Sequence, residues 1–272
     1  MIIRRLVAST LLLPAVGLPA WAAGPDPHPP LPPLTYSAQV VDGRHLLADD
    51  PAGDGRRVQV LGELETARRV AVVVPGAGHD AAAFDEPLGP LDQARTLFDE
   101  LQAQADDVPF AVVAWLGYDT PEGVDRTSAR GERADVGARD LAALRAHLPA
   151  DAEVTWVCHS YGAVVCTEAA ASGTADRIVL LASPGAGAAT VGGLGTTAEV
   201  WAARTPGDVI ALVPGITVAG FGHGTDPTEE SFGARRLHVG DARGHSGYYV
   251  PGNGLVAGLA RVALGTAEVS RG

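Results

Sequence analysis

A chain of 272 residues with a 46% hydrophobic share is long enough to bury the core of one large domain. Only 19% of its residues are charged, the formal net charge is −12, and all 20 basic residues are Arg. An acidic chain without a basic cluster excludes a surface built for nucleic-acid phosphates, and 34 Gly and 20 Pro exclude a coiled coil.

The first residues read as an export signal. MIIRR carries two positive charges, Leu6 to Leu18 is apolar around Pro14, and Ala20-Trp21-Ala22 offers small residues for cleavage. The apolar stretch falls short of the ~20 residues that a membrane span needs. Residues 1–22 are therefore expected to be a cleaved signal peptide, leaving a secreted mature chain without a membrane span. The Arg4-Arg5 pair leaves twin-arginine and general export both open. Residues 23–35 are Pro-rich and are expected to form an exposed, extended linker, with residues 36–272 as a single domain.

Strand and helix signals then alternate. Arg57–Leu61 reads as a strand, and Val70–Val74 is a β-branched run of the kind buried on both faces. Leu91–Ala105 has helical spacing, Phe110–Trp115 is a second buried strand, and Glu132–Leu148 is a helix stopped before Pro149. Val154–Cys158 is a strand, Tyr161–Ala171 a helix ended by Gly173, and Arg177–Ala182 a strand. Glu199–Arg204 and Arg235–Val239 are two further strands, and Leu255–Leu264 a final helix. Such alternation predicts an α/β fold, a mostly parallel sheet with helices on both faces.

The chemistry centres on Cys158-His159-Ser160-Tyr161-Gly162, where a predicted strand runs into a predicted helix. A serine on such a turn projects its hydroxyl above the sheet, and small residues must stand two before and two after it. Gly162 meets that need, and Cys158 stands where Gly is usual. The strand Val70–Val74 ends in Pro75-Gly76-Ala77-Gly78, a loop small enough to bring backbone N–H groups to a substrate oxygen. Ala77 and Tyr161 are the expected oxyanion donors, with Gly78 as the alternative to Ala77.

Three His follow the serine. His245 lies in a Gly-flanked loop after the last predicted strand, where a base can reach Ser160. His223 in FGHG is a loop rival, and His238 is expected to point into packing from within its strand. Asp208, in the loop after Glu199–Arg204, is the expected acid, with Asp226 and Asp241 as alternatives. The two Cys, Cys158 and Cys166, pose an open question. Secretion permits a disulfide, a strand and its following helix usually hold Cα atoms too far apart, and the sharp turn between them brings them closer.

Taken together, VVVPGAGHD, AWLGYDTP, CHSYGA, WAARTPGDVI, FGHGTDP and RGHSGYY resemble the actinobacterial α/β-hydrolase family formerly known as DUF1023, from about Val70 to Tyr249. The resemblance implies an α/β-hydrolase fold with a sheet of about eight strands and a Ser160, Asp208, His245 triad. It implies no substrate. It also draws attention to Tyr118 and Asp119, which follow a strand end and are candidates for substrate contact, as is His159 beside the serine. The expected reaction is hydrolysis of a small-molecule or lipid-like ester through an acyl-enzyme, in the manner of an esterase or lipase. Acyltransferase, peptidase or thioesterase chemistry on the same residues is the alternative, as is a secreted binding protein on a hydrolase scaffold. No metal or organic cofactor is expected, because no zinc-ligand spacing occurs and the glycines of Val191–Gly195 lack the dinucleotide pattern.

Overall fold

The structure, a computed structural model, describes residues 31–123, 128–129, 131–213, 215, 217 and 222–267. The expected signal peptide lies outside the described residues.

The β-branched runs form the centre of the sheet. Strand β4 (Arg69–Val74) lies in parallel between β5 (Phe110–Leu116) and β6 (Glu153–His159). The parallel set continues through β7 (Arg177–Leu181), β8 (Glu199–Ala203) and β9 (Arg235–Arg236). On the other side, β3 (Arg56–Gly62) pairs antiparallel with β5, and β2 (Arg44–Asp50) and β1 (Gln39–Val41) extend the sheet antiparallel. The order across the nine strands is β1-β2-β3-β5-β4-β6-β7-β8-β9.

Successive side chains of a strand point to opposite faces, and the core divides accordingly. Val70, Val72 and Val74 of β4 face α2 (Glu132–Leu144) and α3 (Tyr161–Ala169). Ala71 and Val73 face α1 (Pro90–Gln104) and α4 (Gly254–Leu264). Both faces of the sheet are therefore covered, which explains why its central strands read as unbroken apolar runs rather than alternating ones. No helix among the described residues is long and apolar enough to cross a membrane.

The structure differs from the sequence reading at several edges. Strands β1 and β2 were not anticipated, because HLLADD and QVV lack both a long β-branched run and clear alternation. They bring the sheet to nine strands rather than about eight. The last strand is short, so His238 lies beyond it and is exposed rather than packed. The helix expected to reach Leu148 ends at Leu144 and passes into a 3-10 turn, Arg145–His147.

The segment expected as an exposed linker also docks at its end. Leu34 is buried, and its N–H donates to Asp140 Oδ1 at 3.0 Å. The docking point is the fully buried Arg56, which donates to Pro32 O at 2.9 Å, to Asp140 Oδ2 at 3.3 Å and to Asp50. A buried guanidinium needs all of its donors occupied, and a carbonyl from residue 32 fills one of them.

Cys158 at the end of β6 and Cys166 in α3 form a disulfide, with Cα atoms 6.5 Å apart. The bridge joins the strand and the helix that flank Ser160, and both sulfur residues are fully buried. It also explains the departure from Gly two residues before the serine: the Cys158 side chain is spent in the bond with the helix. Closing so short a loop is worth about 2–3 kcal/mol by the chain-entropy estimate. Cys166→Ala should lower the thermal midpoint, followed by circular dichroism, by about 5–10 °C. An unchanged midpoint would show that the two sulfurs are not bonded in solution.

Candidate active site

Ser160 sits at the junction of β6 and α3 with φ 55° and ψ −124°. A non-glycine residue rarely adopts such a conformation, which costs on the order of 1–3 kcal/mol and persists only when its surroundings enforce it. Here they do. The register of β6 against β7 holds His159 opposite Leu181, and Ser160 N–H donates to Leu181 O at 2.9 Å. Close packing leaves no room nearby. A Cβ on Gly162 would lie 2.4 Å from Pro75 O, and one on Gly76 would lie 2.7 Å from Ser160 Cβ.

The loops after β8 and β9 bring two further residues to the serine. His245 Nε2 lies 3.1 Å from Ser160 Oγ, and His245 Nδ1 lies 2.8 Å from Asp208 Oδ1. The two loops are tied to each other. Thr205 Oγ1 donates to Gly244 O at 2.7 Å, and Gly244 N–H donates to Pro206 O at 3.0 Å. The acid and the histidine are thus held by backbone contacts as well as by their own bond.

Asp208 is buried, and burial alone would raise its pKa. Hydrogen bonds from His245, from Tyr248 Oη at 2.6 Å and from Ile210 N–H at 2.9 Å outweigh that and hold it down to about 2. Tyr248 Oη in turn accepts from Thr205 N–H at 3.0 Å. The carboxylate is therefore charged and satisfied on both oxygens. His159 has the opposite balance. Its burial, then the neighbouring His245, lowers its pKa to about 3, so it stays neutral. Its Nε2–H donates to His245 O at 3.0 Å, and its ring centroid lies 4.8 Å from that of His245.

The expected oxyanion loop is held from below. Gly78 N–H donates to Pro121 O at 2.7 Å, so it is not available to a substrate, whereas Ala77 N–H has no partner among the described residues. Ala77 lines the cavity at Ser160. Tyr161 begins α3 directly after the serine.

Two of the three candidates for substrate contact are engaged within the protein. Tyr118 is 1% exposed, donates to Pro75 O at 2.8 Å and stacks on Trp115 and Tyr161. It braces the loop that carries Ala77. Asp119 pairs with Arg133 at 3.2 Å and does not line the cavity. His159 does line it. The rivals for base and acid are engaged elsewhere. His223 Nε2 bonds Ser128 O at 2.6 Å, and Asp226 pairs with Arg204 and caps Thr228. Asp241 is exposed.

A cavity of about 180 Å³ opens beside Ser160 and His245. Its walls include Leu88, Gln93, Tyr248 and Tyr249, which the sequence reading did not single out. The two tyrosines follow His245 within RGHSGYY and were legible as neighbours of the base. Nothing in the helical pattern of α1 marked Gln93.

A strand, a strained serine turn and a helix, with a histidine and an acid delivered by later strand-end loops, define the architecture of an α/β hydrolase. Residues 50–218 match the sequence profile of the family described as alpha/beta hydrolase, and the chain belongs to that family. Two uncharacterized proteins from strains of Mycobacterium tuberculosis are each 31% identical to it, across 81% of this chain and 39% of their own. The chain thus spans about two-fifths of the length of those relatives. Among solved structures, a Xanthomonas campestris α/β serine hydrolase described as lidless is 18% identical, with a TM-score of 0.46 over 87% of this chain and 96% of that one. An α/β serine hydrolase homologue from Coxiella burnetii is 12% identical, with a TM-score of 0.46 over 85% and 100%.

Tyr248→Phe removes a bond to a charged carboxylate and strands Thr205 N–H. It should lower stability by about 1.5–3 kcal/mol in denaturant titrations. A neutral result would show that water replaces the hydroxyl.

Proposed function

We propose that this protein is a secreted serine hydrolase that cleaves a small-molecule carboxyl ester through an acyl-enzyme on Ser160. The observation that carries the reading is the unbroken line of contacts from Ser160 Oγ through His245 to Asp208, at 3.1 and 2.8 Å, on a strained strand-to-helix turn.

The steps follow from that geometry. Nδ1–H of His245 donates to Asp208, which leaves the Nε2 lone pair facing the serine hydroxyl. As Ser160 Oγ bonds to the ester carbonyl carbon, its proton passes to His245 Nε2. The charged Asp208 stabilises the imidazolium that forms. The backbone N–H groups of Ala77 and Tyr161 receive the carbonyl oxygen as it becomes an oxyanion, at the N-terminus of α3. His245 then gives its proton to the departing alkoxide as the C–O bond breaks. Water repeats the cycle and releases the acid.

The cavity supports a small substrate portion rather than a long acyl chain. An engineered cavity of about 150 Å³ takes up benzene, and this one is of similar size. Secretion is supported by the charged, apolar and small-residue order of residues 1–22 together with the Cys158–Cys166 bridge, a bond that persists in oxidising compartments.

A fluorophosphonate probe should label the folded protein. Ser160→Ala should abolish labelling, and His245→Ala should slow it by about 10²–10⁴-fold. Full-rate labelling of His245→Ala would move the base elsewhere. The pH profile of kcat/KM offers a second check. Asp208 stays charged to about pH 2 and His159 stays neutral to about pH 3. Neither group should therefore add an inflection to the profile near neutral pH, and an inflection there that His159→Gln removes would show that His159 titrates in that range.

A further inference from the structure

Among the described residues, one side chain bonds the backbone of His245, and it belongs to the residue directly before the serine. His159 Nε2 lies 3.0 Å from His245 O, and the two ring centroids are 4.8 Å apart. A carbonyl only accepts, so the proton stands on Nε2. The ring packs against Tyr248 and Tyr249, with centroids 5.0 and 6.4 Å away, and the residue is buried. Burial, then the neighbouring His245, holds its pKa down to about 3. The ring therefore keeps this neutral form and places no second charge beside an imidazolium at His245.

Packing alone does not fix His245. Its side chain is 30% exposed, whereas that of Asp208 is fully buried. Toward the loop after β8 it is held by its own bond to Asp208 and by the bonds of Gly244 to Thr205 and Pro206. Toward β6 its polar contacts among the described residues are the one with Ser160 Oγ and the one from His159. The reaction consumes the first. In the acyl-enzyme Ser160 Oγ is an ester oxygen and has no proton to donate. The contact from His159 involves no reacting atom, so it persists through both halves of the cycle.

We propose that His159 is a positioning residue that keeps His245 facing the acylated serine, so that deacylation depends on it more than acylation does. The inference rests on the serine-hydrolase reading of the site. In deacylation a water proton passes to His245 Nε2 as the water oxygen bonds to the acyl carbon. The bond from that carbon to Ser160 Oγ then breaks, and His245 returns the proton to Oγ as the acid leaves. Both transfers need the imidazole within hydrogen-bond reach, and the hydroxyl that held it there during acylation is gone.

The test compares His159→Leu with His159→Gln in the hydrolysis of p-nitrophenyl acetate, with rates expressed per serine titrated by the fluorophosphonate. Leu and Gln are similar in size, and the Gln amide carries an N–H about as far from the backbone as Nε2. In His159→Leu kcat should fall about tenfold, while kcat/KM, which reports acylation, falls less than about threefold. Release of p-nitrophenol should then begin with a burst of about one equivalent per serine. His159→Gln should recover kcat to within about threefold of the unaltered protein. A role in folding alone would lower the thermal midpoint and leave kcat per titrated serine unchanged, and that result would overturn the proposal. A loss in kcat/KM as large as that in kcat, or larger, would also overturn it, because His159 would then serve acylation or substrate contact. So would a Gln variant as slow as the Leu variant. If His159→Leu does not fold, His159→Asn, whose shorter amide stops short of His245 O, replaces it with the same expected loss. Absence of probe labelling at Ser160 in the unaltered protein would instead sink the hydrolase reading beneath the proposal.

Discussion

The backbone of Ser160, held at φ 55° between β6 and α3, is the constraint on which the rest of the site depends. That conformation points the hydroxyl away from both elements. It is sustained by the hydrogen bond to Leu181 O and by contacts that admit no side chain at Gly162 or Gly76. The loop after β4 can then approach the serine closely enough for Ala77 to border the cavity. The Cys158–Cys166 bridge clamps strand to helix across the same turn. A strained residue persists only where its surroundings over-determine it, and here backbone, packing and a covalent bond all act on one position.

The electrostatics of the site divide by how burial is compensated. Asp208 is buried yet charged, because three donors meet its two oxygens. His159 is buried and neutral, because desolvation and then the neighbouring His245 outweigh its hydrogen bond to His245 O. Together they leave His245 as the group beside the serine that is placed to move a proton.

Support for the active-site loops comes from beneath as well as from the sheet. The stack of Trp115, Tyr118 and Tyr161 lies by the loop after β4, with Tyr118 bonded to Pro75 O. Further out, Trp115 Nε1 donates to Tyr36 Oη, which donates to Asp140 O. Buried Arg56 links Asp140 to the segment at Pro32 and Leu34. The segment at Pro32 and Leu34 is therefore joined to the loop near Ser160 through contiguous side chains.

The sequence by itself determined the α/β class, the central strands and the residues that meet at the serine. β-Branched runs such as Val70–Val74 suit only a doubly covered strand, and a Ser between a strand and a Gly-containing helix start has few other uses. The order Ser160, Asp208, His245 was legible because each follows a strand end, and parallel strands deliver such loops to one edge of the sheet. Only the tertiary structure decided what depends on contacts distant in the chain. Strands β1 and β2 exist through antiparallel pairing with β3, not through their own weak pattern. Tyr118 and Asp119 look like site residues in a list of motifs, yet packing turns one beneath a loop and pairs the other with Arg133. The disulfide needed a 6.5 Å separation that spacing alone leaves undecided. Gln93 joins the cavity wall only where α1 lies near the turn that follows His245, because a cavity lining is a property of the tertiary arrangement and not of residue type.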